Sequence, residues 1–224
     1  MNWRFLRPWP WLDTRARFVA GVPRGGRLLD LGCSDGETLT HMAELRPDLR
    51  FAAADRVAAL QQGPRDCDFR QADFERDPLP WPDAVMDAVT CMHVVEHLTG
   101  VERLLREIAR VLKPGGRVYL ETPHPRSLTL PRLRTGSGGF DFTLNFYDDP
   151  THVRVVTERE LCEELRAAGC AIVAHGVSRN WLFAGAHLLF RHLPPSRKKY
   201  TAQVHWIGWS AYVLAQRPIQ EGHR

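Results

Sequence analysis

Gly32 and Gly36 are separated by three residues in a run that is otherwise small and acidic, with Asp30, Asp35 and Glu37 crowded around them. The spacing is not that of a dinucleotide fingerprint, and no Gly-Lys-Ser/Thr ending marks a phosphate loop. Three carboxylates at one loop would repel a pyrophosphate and tolerate a cation. The missing side chain at Gly32 lets a flat or extended ligand approach the backbone. Asp55 stands about twenty residues beyond the loop, where a carboxylate can accept hydrogen bonds from both hydroxyls of a ribose.

Such residues need strand ends to hold them. Leu28 to Leu31 is a short apolar run that suits a buried parallel strand, and Leu39, Met42 and Leu45 recur at helical spacing after Glu37. The glycine loop therefore sits at the carboxyl edge of a sheet, where open α/β folds bind ligands. Further strands are expected at Leu49–Asp55, Cys67–Ala72, Val85–Cys91, Arg117–Thr122, Cys170–His175 and Trp209–Gln216. Val101 to Leu112 reads as an amphipathic helix stopped by Lys113-Pro114-Gly115-Gly116. Thr157, with Glu160 three residues on, reads as the capping box of another helix.

The stretch Leu28-Leu29-Asp30-Leu31-Gly32-Cys33-Ser34-Asp35-Gly36 resembles the first motif of class I S-adenosylmethionine-dependent methyltransferases, in their small-molecule, type 11/23-like branch. Ser34 stands where that motif has its third Gly, which narrows the pocket near the methionine end. Asp87 to Leu98 matches the branch's DxVxxxHVxEHL pattern, and LLREIARVLKPGGRVYLETP at residues 104–123 is typical of its fold. The resemblance implies a doubly wound, Rossmann-like α/β fold. Its sheet would have seven mostly parallel strands with an antiparallel last strand, and helices on both faces. It implies S-adenosylmethionine as cofactor, held by Asp30, Gly32, Cys33, Ser34, Gly36, Asp55, Arg56, Asp73, Phe74, Met92 and His93. Asp55 would take the ribose, Asp73 the adenine amino group and Phe74 the ring face.

The activity implied is in-line transfer of a methyl group to a small-molecule acceptor, with a hydroxyl on a sugar, lipid-linked or secondary-metabolite intermediate expected. His93 and His152 are then the candidate general bases, because histidine titrates in the right range. His93-x-x-Glu96-His97 also resembles the Glu-x-x-Glu-His metal site of ubiquinone-pathway and small-RNA 2′-O-methyltransferases, with His152 as a later ligand and His93 in place of the first acid. A hydrogen-bonded core role for His97 is the reading adopted, and no metal is assigned. The runner-up is a non-catalytic scaffold that keeps the cofactor fold, since fold does not guarantee chemistry.

Composition bounds the rest. The chain has 224 residues, 44% hydrophobic and 25% charged, with a net charge of +4. That balance does not point to nucleic acid, and no Asn/Asp-Pro-Pro-Tyr follows the fourth strand. Five cysteines form no Cys-x-x-Cys pair, and Met1-Asn2-Trp3-Arg4 lacks signal-peptide order, so a cytoplasmic location is expected. One methyltransferase domain is expected over 1–224. It divides into an aromatic and basic arm (1–24), a cofactor half (25–122), a substrate-covering loop (123–156) and a C-terminal half (157–224). The arm holds Trp3, Trp9 and Trp11 and is read as packing over the domain. The covering loop carries His124, Arg126, Arg132, Arg134, Phe140, Phe142, Phe146 and Tyr147. An insert at about 177–208 is read as an apolar helix from Trp181 to Leu193 followed by a solvated basic turn, Arg197-Lys198-Lys199. The alternative for that turn is attachment to an anionic membrane or a phosphorylated substrate.

Overall fold

A computed structural model describes residues 3–133 and 142–219. Arg134 and Phe140 lie outside the described residues. The strands are β1 (Arg27–Leu31), β2 (Arg50–Asp55), β3 (Asp68–Gln71), β4 (Met86–Met92), β5 (Leu112–Pro123), β6 (Ala171–Ser178) and β7 (Ser210–Gln216). They form one sheet in the order β3-β2-β1-β4-β5-β7-β6, and β7 runs antiparallel to both its neighbours. The helices are α1 (Thr14–Ala20), α2 (Glu37–Leu45), α3 (Glu102–Val111), α4 (Glu158–Ala167), α5 (Trp181–Phe190) and α6 (Arg197–Ile207). This is the expected Rossmann-like fold.

Alternate strand residues feed two cores, as the two-residue period of a strand requires. Leu29, Leu31, Val89, Cys91, Val118 and Leu120 pack with the apolar sides of α3 and α4. Leu28, Phe51, Ala53, Ala88 and Tyr119 pack with α1, α2 and the arm residues Trp3 and Leu6. Strands covered on both faces read as continuous apolar runs, which is why β1 and β4 were visible in the sequence. Strand order reverses between β1 and β4, so their carboxyl ends open a crevice.

Several local expectations change. Lys113 to Gly116 does not separate helix from strand: β5 already pairs with β4 at Leu112, and a register shift between Met86 and Ala88 accommodates the glycines. Thr157 accepts the Glu160 N–H at 3.2 Å, but the Glu160 carboxylate turns to Arg154 at 2.6 Å instead of closing a capping box. The basic run Arg197-Lys198-Lys199 is not a turn. It opens α6, with Ser196 Oγ accepting the Lys199 N–H at 3.3 Å. The arm forms two short 3-10 turns, Trp3–Leu6 and Pro10–Leu12; Trp3 and Leu6 are buried, while Trp9 and Trp11 are exposed. No helix among the described residues is long and apolar enough to cross a membrane.

Arg46 ties the end of α1 to the start of β2. Its guanidinium donates to the carbonyls of Ala20 and Val22 at 2.8 Å and forks onto Asp48 at 2.7 and 2.8 Å. Arg46→Ala leaves those carbonyls without their cationic donor and is expected to lower unfolding free energy by about 1–3 kcal/mol in a urea titration. A change below about 0.5 kcal/mol would mean that water replaces the guanidinium.

Candidate functional site

The glycine loop leaves β1 in a conformation that needs its small residues. Gly32, Ser34 and Gly36 have φ of 75°, 50° and 94°. A Cβ on Gly32 would stand 2.1 Å from Val94 Cγ2, and one on Gly36 would stand 1.9 Å from the Gln62 carbonyl oxygen. Gly32 donates its N–H to Ala54 at 2.9 Å, and Ser34 donates to Asp55 Oδ2 at 2.8 Å. The loop and the carboxylate at the end of β2 are therefore one unit. Cys33 turns its thiol inward to the Ala54 carbonyl, so its side chain is buried.

Asp30 lies beneath the loop, only 2% exposed, and Thr90 donates to it at 2.7 Å. Burial pushes its carboxyl up to about 7 against that hydrogen bond, and the nearby Asp55 charge adds to the rise. Asp30 forms no salt bridge among the described residues, so the loop overlies a carboxyl whose charge is uncompensated. Asp73 follows β3 and holds its own turn by accepting the Glu75 N–H at 3.0 Å. Phe74 is 7% exposed and packs in the core with Ala72 and Trp81. Arg56 is exposed beside Asp55, and Met92 is half-buried at the end of β4.

His93 follows β4 in a left-handed backbone conformation, φ 57°, with its N–H donated to the Glu121 carbonyl at 2.8 Å. Its Nδ1 lies 3.1 Å from Glu96 and its Nε2 lies 3.3 Å from Glu121. Both carboxylates have no solvent exposure. Arg15 of α1 forks onto Glu121 at 2.6 and 3.0 Å, and Tyr119 Oη donates to it at 2.8 Å. Burial opposes a charge at His93, but hydrogen bonds and attraction from Glu121 and Glu96 raise its pKa to about 9. Burial likewise opposes a charge at Glu121, but Arg15 and His93 hold it well below the usual carboxylate range. Two carboxylates on its two ring nitrogens favour the imidazolium form of His93, in which both nitrogens donate. An imidazolium has no lone pair for a proton, so the base role expected of His93 does not fit its surroundings.

His152 sits across the same edge, its side chain 4% exposed. Its Nδ1 donates to the Phe146 carbonyl at 2.6 Å, so that in the neutral ring Nε2 carries the lone pair; Asp149 Oδ2 lies 3.8 Å from that nitrogen. His97 is arranged alike: Nδ1 lies 3.1 Å from the Thr151 carbonyl and 3.0 Å from its hydroxyl. The Glu96 carbonyl accepts the Val153 N–H at 2.9 Å and ties the two segments together. Glu96, His97 and His152 offer ligand atoms that all lie within 4.8 Å of one another. Among the expected bases and neighbouring histidines, His93 therefore joins the buried charge cluster, whereas His97 and His152 come together around Glu96.

A cavity of about 800 Å³ adjoins the first turn of α2, walled by Trp3 and Arg15 on one side and by Phe183, Phe190, Lys198 and His205 on the other. Burial first, then Arg15, lowers the His205 pKa to about 4. Sequence reasoning missed Arg15, Glu121 and His205 as site residues. Glu121 did leave a signal: an acid inside an otherwise apolar strand must be compensated.

A family model described as a methyltransferase domain matches residues 3–175. The chain belongs to the class I S-adenosylmethionine-dependent methyltransferase family. The ubiquinone biosynthesis O-methyltransferase of Aeromonas salmonicida (strain A449) is 29% identical over 159 residues, covering 66% of this chain and 64% of that protein. Among solved structures, an S-adenosylmethionine-dependent methyltransferase from Mesorhizobium loti aligns with a TM-score of 0.64 at 20% identity, covering 94% of this chain and 98% of that one. The 4+2 cyclase SpnF aligns at 0.59 and 22% identity, covering 91% and 79%. The shared fold is thus used for more than one chemistry.

The His93 cluster gives a pH signature. Its folded pKa is raised from 6.5 to about 9, so its contribution to stability is full below 6.5 and is lost as pH rises through 9. The wild-type melting temperature should fall across that window, and His93→Gln should start lower at pH 6 and flatten the slope. An unchanged slope in the variant would remove His93 as the titrating group.

Proposed function

We propose that this chain binds S-adenosylmethionine at the glycine loop and methylates a hydroxyl of a small molecule brought to the sheet edge that carries His97 and His152. The observation that carries the hydroxyl is the pair of imidazole Nε2 lone pairs left by the hydrogen bonds of His97 and His152. The loop fits the cofactor: Gly32 leaves no room for a side chain, and Asp55 sets a carboxylate against the loop at Ser34. Asp55 would orient the ribose hydroxyls and Asp73 the adenine. S-adenosylmethionine, when bound, supplies an electrophilic methyl group on a positively charged sulfur.

The protein's own work is alignment and proton handling. Alignment of donor and acceptor and exclusion of water account for most of such a rate gain. His152 would take the hydroxyl proton at Nε2, with the Phe146 carbonyl fixing its tautomer. His93 is a positioning residue. Its two carboxylate contacts fix the turn carrying Glu96 and His97. The name of the Aeromonas relative supports an oxygen acceptor.

A second reading is favoured by the outer partners of the histidines. Metal-binding histidines usually donate their second ring nitrogen to a carbonyl or carboxylate, as His97 and His152 do here. Glu96, His97 and His152 would then hold a divalent cation that acidifies the acceptor hydroxyl.

Calorimetric titration with S-adenosylmethionine and S-adenosylhomocysteine tests the cofactor site. Saturable binding is expected, weakened about tenfold or more in Asp55→Ala. A folded protein that binds neither at millimolar concentration would leave the scaffold reading in its place. Once an acceptor is found, His152→Ala should lower kcat by about 10²- to 10⁴-fold while cofactor affinity holds. Full activity in that variant would remove His152 as base. Metal analysis before and after chelation separates the cation reading from a metal-free base.

A further inference from the structure

We propose that the hairpin of α5 and α6 docks on an anionic lipid bilayer. Surface helices normally turn their apolar side inward and a polar side outward, but α5 is apolar all round. Trp181, Leu182, Leu188 and Leu189 are 58%, 41%, 49% and 74% exposed, and Ala184 is its one buried residue. At helical spacing these four exposed positions share one face. The inner side is taken by ring contacts with α6, Phe183 with His205 and His187 with Trp206, both at 5.6 Å. The outer face thus presents large apolar side chains to solvent.

Charge identifies what covers that face. The chain holds 26 acidic residues, yet none lies between Glu164 and Glu221. The hairpin and its flanks carry Arg179, Arg191, Arg197, Lys198 and Lys199. A hairpin with one exposed apolar face, several cations and no carboxylate is complementary to anionic headgroups over acyl chains. A second copy of the same face would bring like charges together across a two-fold axis. Trp181 is an amphipathic ring of the kind that settles at headgroup depth. With ten and eleven residues, α5 and α6 are too short to cross a bilayer and fit a position within its surface.

The fold braces the hairpin for this use. Asn180, which caps α5, donates Nδ2 to Asp13 at 2.8 Å, so the foot of the hairpin is fixed to the arm. The hairpin lies beyond residue 175, where the match to the family model ends. Its inner side also walls the 800 Å³ cavity.

Co-sedimentation with vesicles tests this without any assay of activity. The full chain should bind vesicles containing phosphatidylglycerol, bind phosphatidylcholine vesicles far less, and be released by salt. Leu188→Ser with Leu189→Ser should lower partition at least about tenfold. Arg191→Gln with Lys198→Gln should lower it about fivefold per cation removed. All four positions are exposed, and an unchanged melting temperature checks folding. Failure of the wild-type chain to bind, or equal binding by a folded leucine variant, would overturn the proposal. So would a dimer in sedimentation velocity that the leucine variant breaks, because a second copy would then cover the face.

Discussion

Two carboxylates with no access to solvent, Glu96 and Glu121, stand at the carboxyl edge of the sheet. Taking a carboxylate out of water costs several kcal/mol unless a cation and hydrogen bonds replace the lost hydration. Here the compensation is gathered from four parts of the chain. Arg15 comes from the first helix, His93 from the end of β4, Tyr119 from β5, and Ser210 Oγ lies 3.4 Å from the imidazole at the start of β7. The two negative and two positive charges balance only when these pieces are in place. That balance sustains the left-handed backbone of His93, which a residue with a Cβ adopts at a cost.

The candidate chemistry is arranged around this cluster. His93 fixes the turn of residues 95–97 through Glu96, and the Glu96 carbonyl fixes the segment that carries His152. Charge therefore sets the side of the crevice that carries His97 and His152. The glycine-loop side follows from space: Gly32 and Gly36 allow close backbone approaches at Val94 and Gln62 that no side chain would permit. A mixed edge of this kind can hold a rigid donor against one wall and vary the acceptor against the other.

Local signals were legible in the sequence, and long-range ones were not. Apolar runs marked β1, β2 and β4 because both faces of those strands are covered. The glycine loop was visible because left-handed backbone leaves a compositional trace at Gly32 and Gly36. Helix α6 was missed since its residues show no apolar stripe and only Ala202 is buried. The pairing of Arg15 with Glu121 joins residues 106 positions apart, and no local pattern encodes it. The surroundings of His93 were illegible for a related reason. Its ordinary pKa assumes a solvated ring, whereas two distant chain segments decide its charge.

The bond between Asp13 and Asn180 joins residues 167 positions apart. Asp13 also caps α1 by accepting the N–H groups of Arg15 and Ala16, so the first helix and the latch share one carboxylate. On a ribosome, α1 is made long before the segment that completes its anchorage. Its Arg15 has to wait for Glu121, and its cap for Asn180. The opening stretch is therefore fastened in two stages, first by α2 and Arg46 close to it in the chain and last by Asn180. A protein made in this order closes from its far end back onto its beginning.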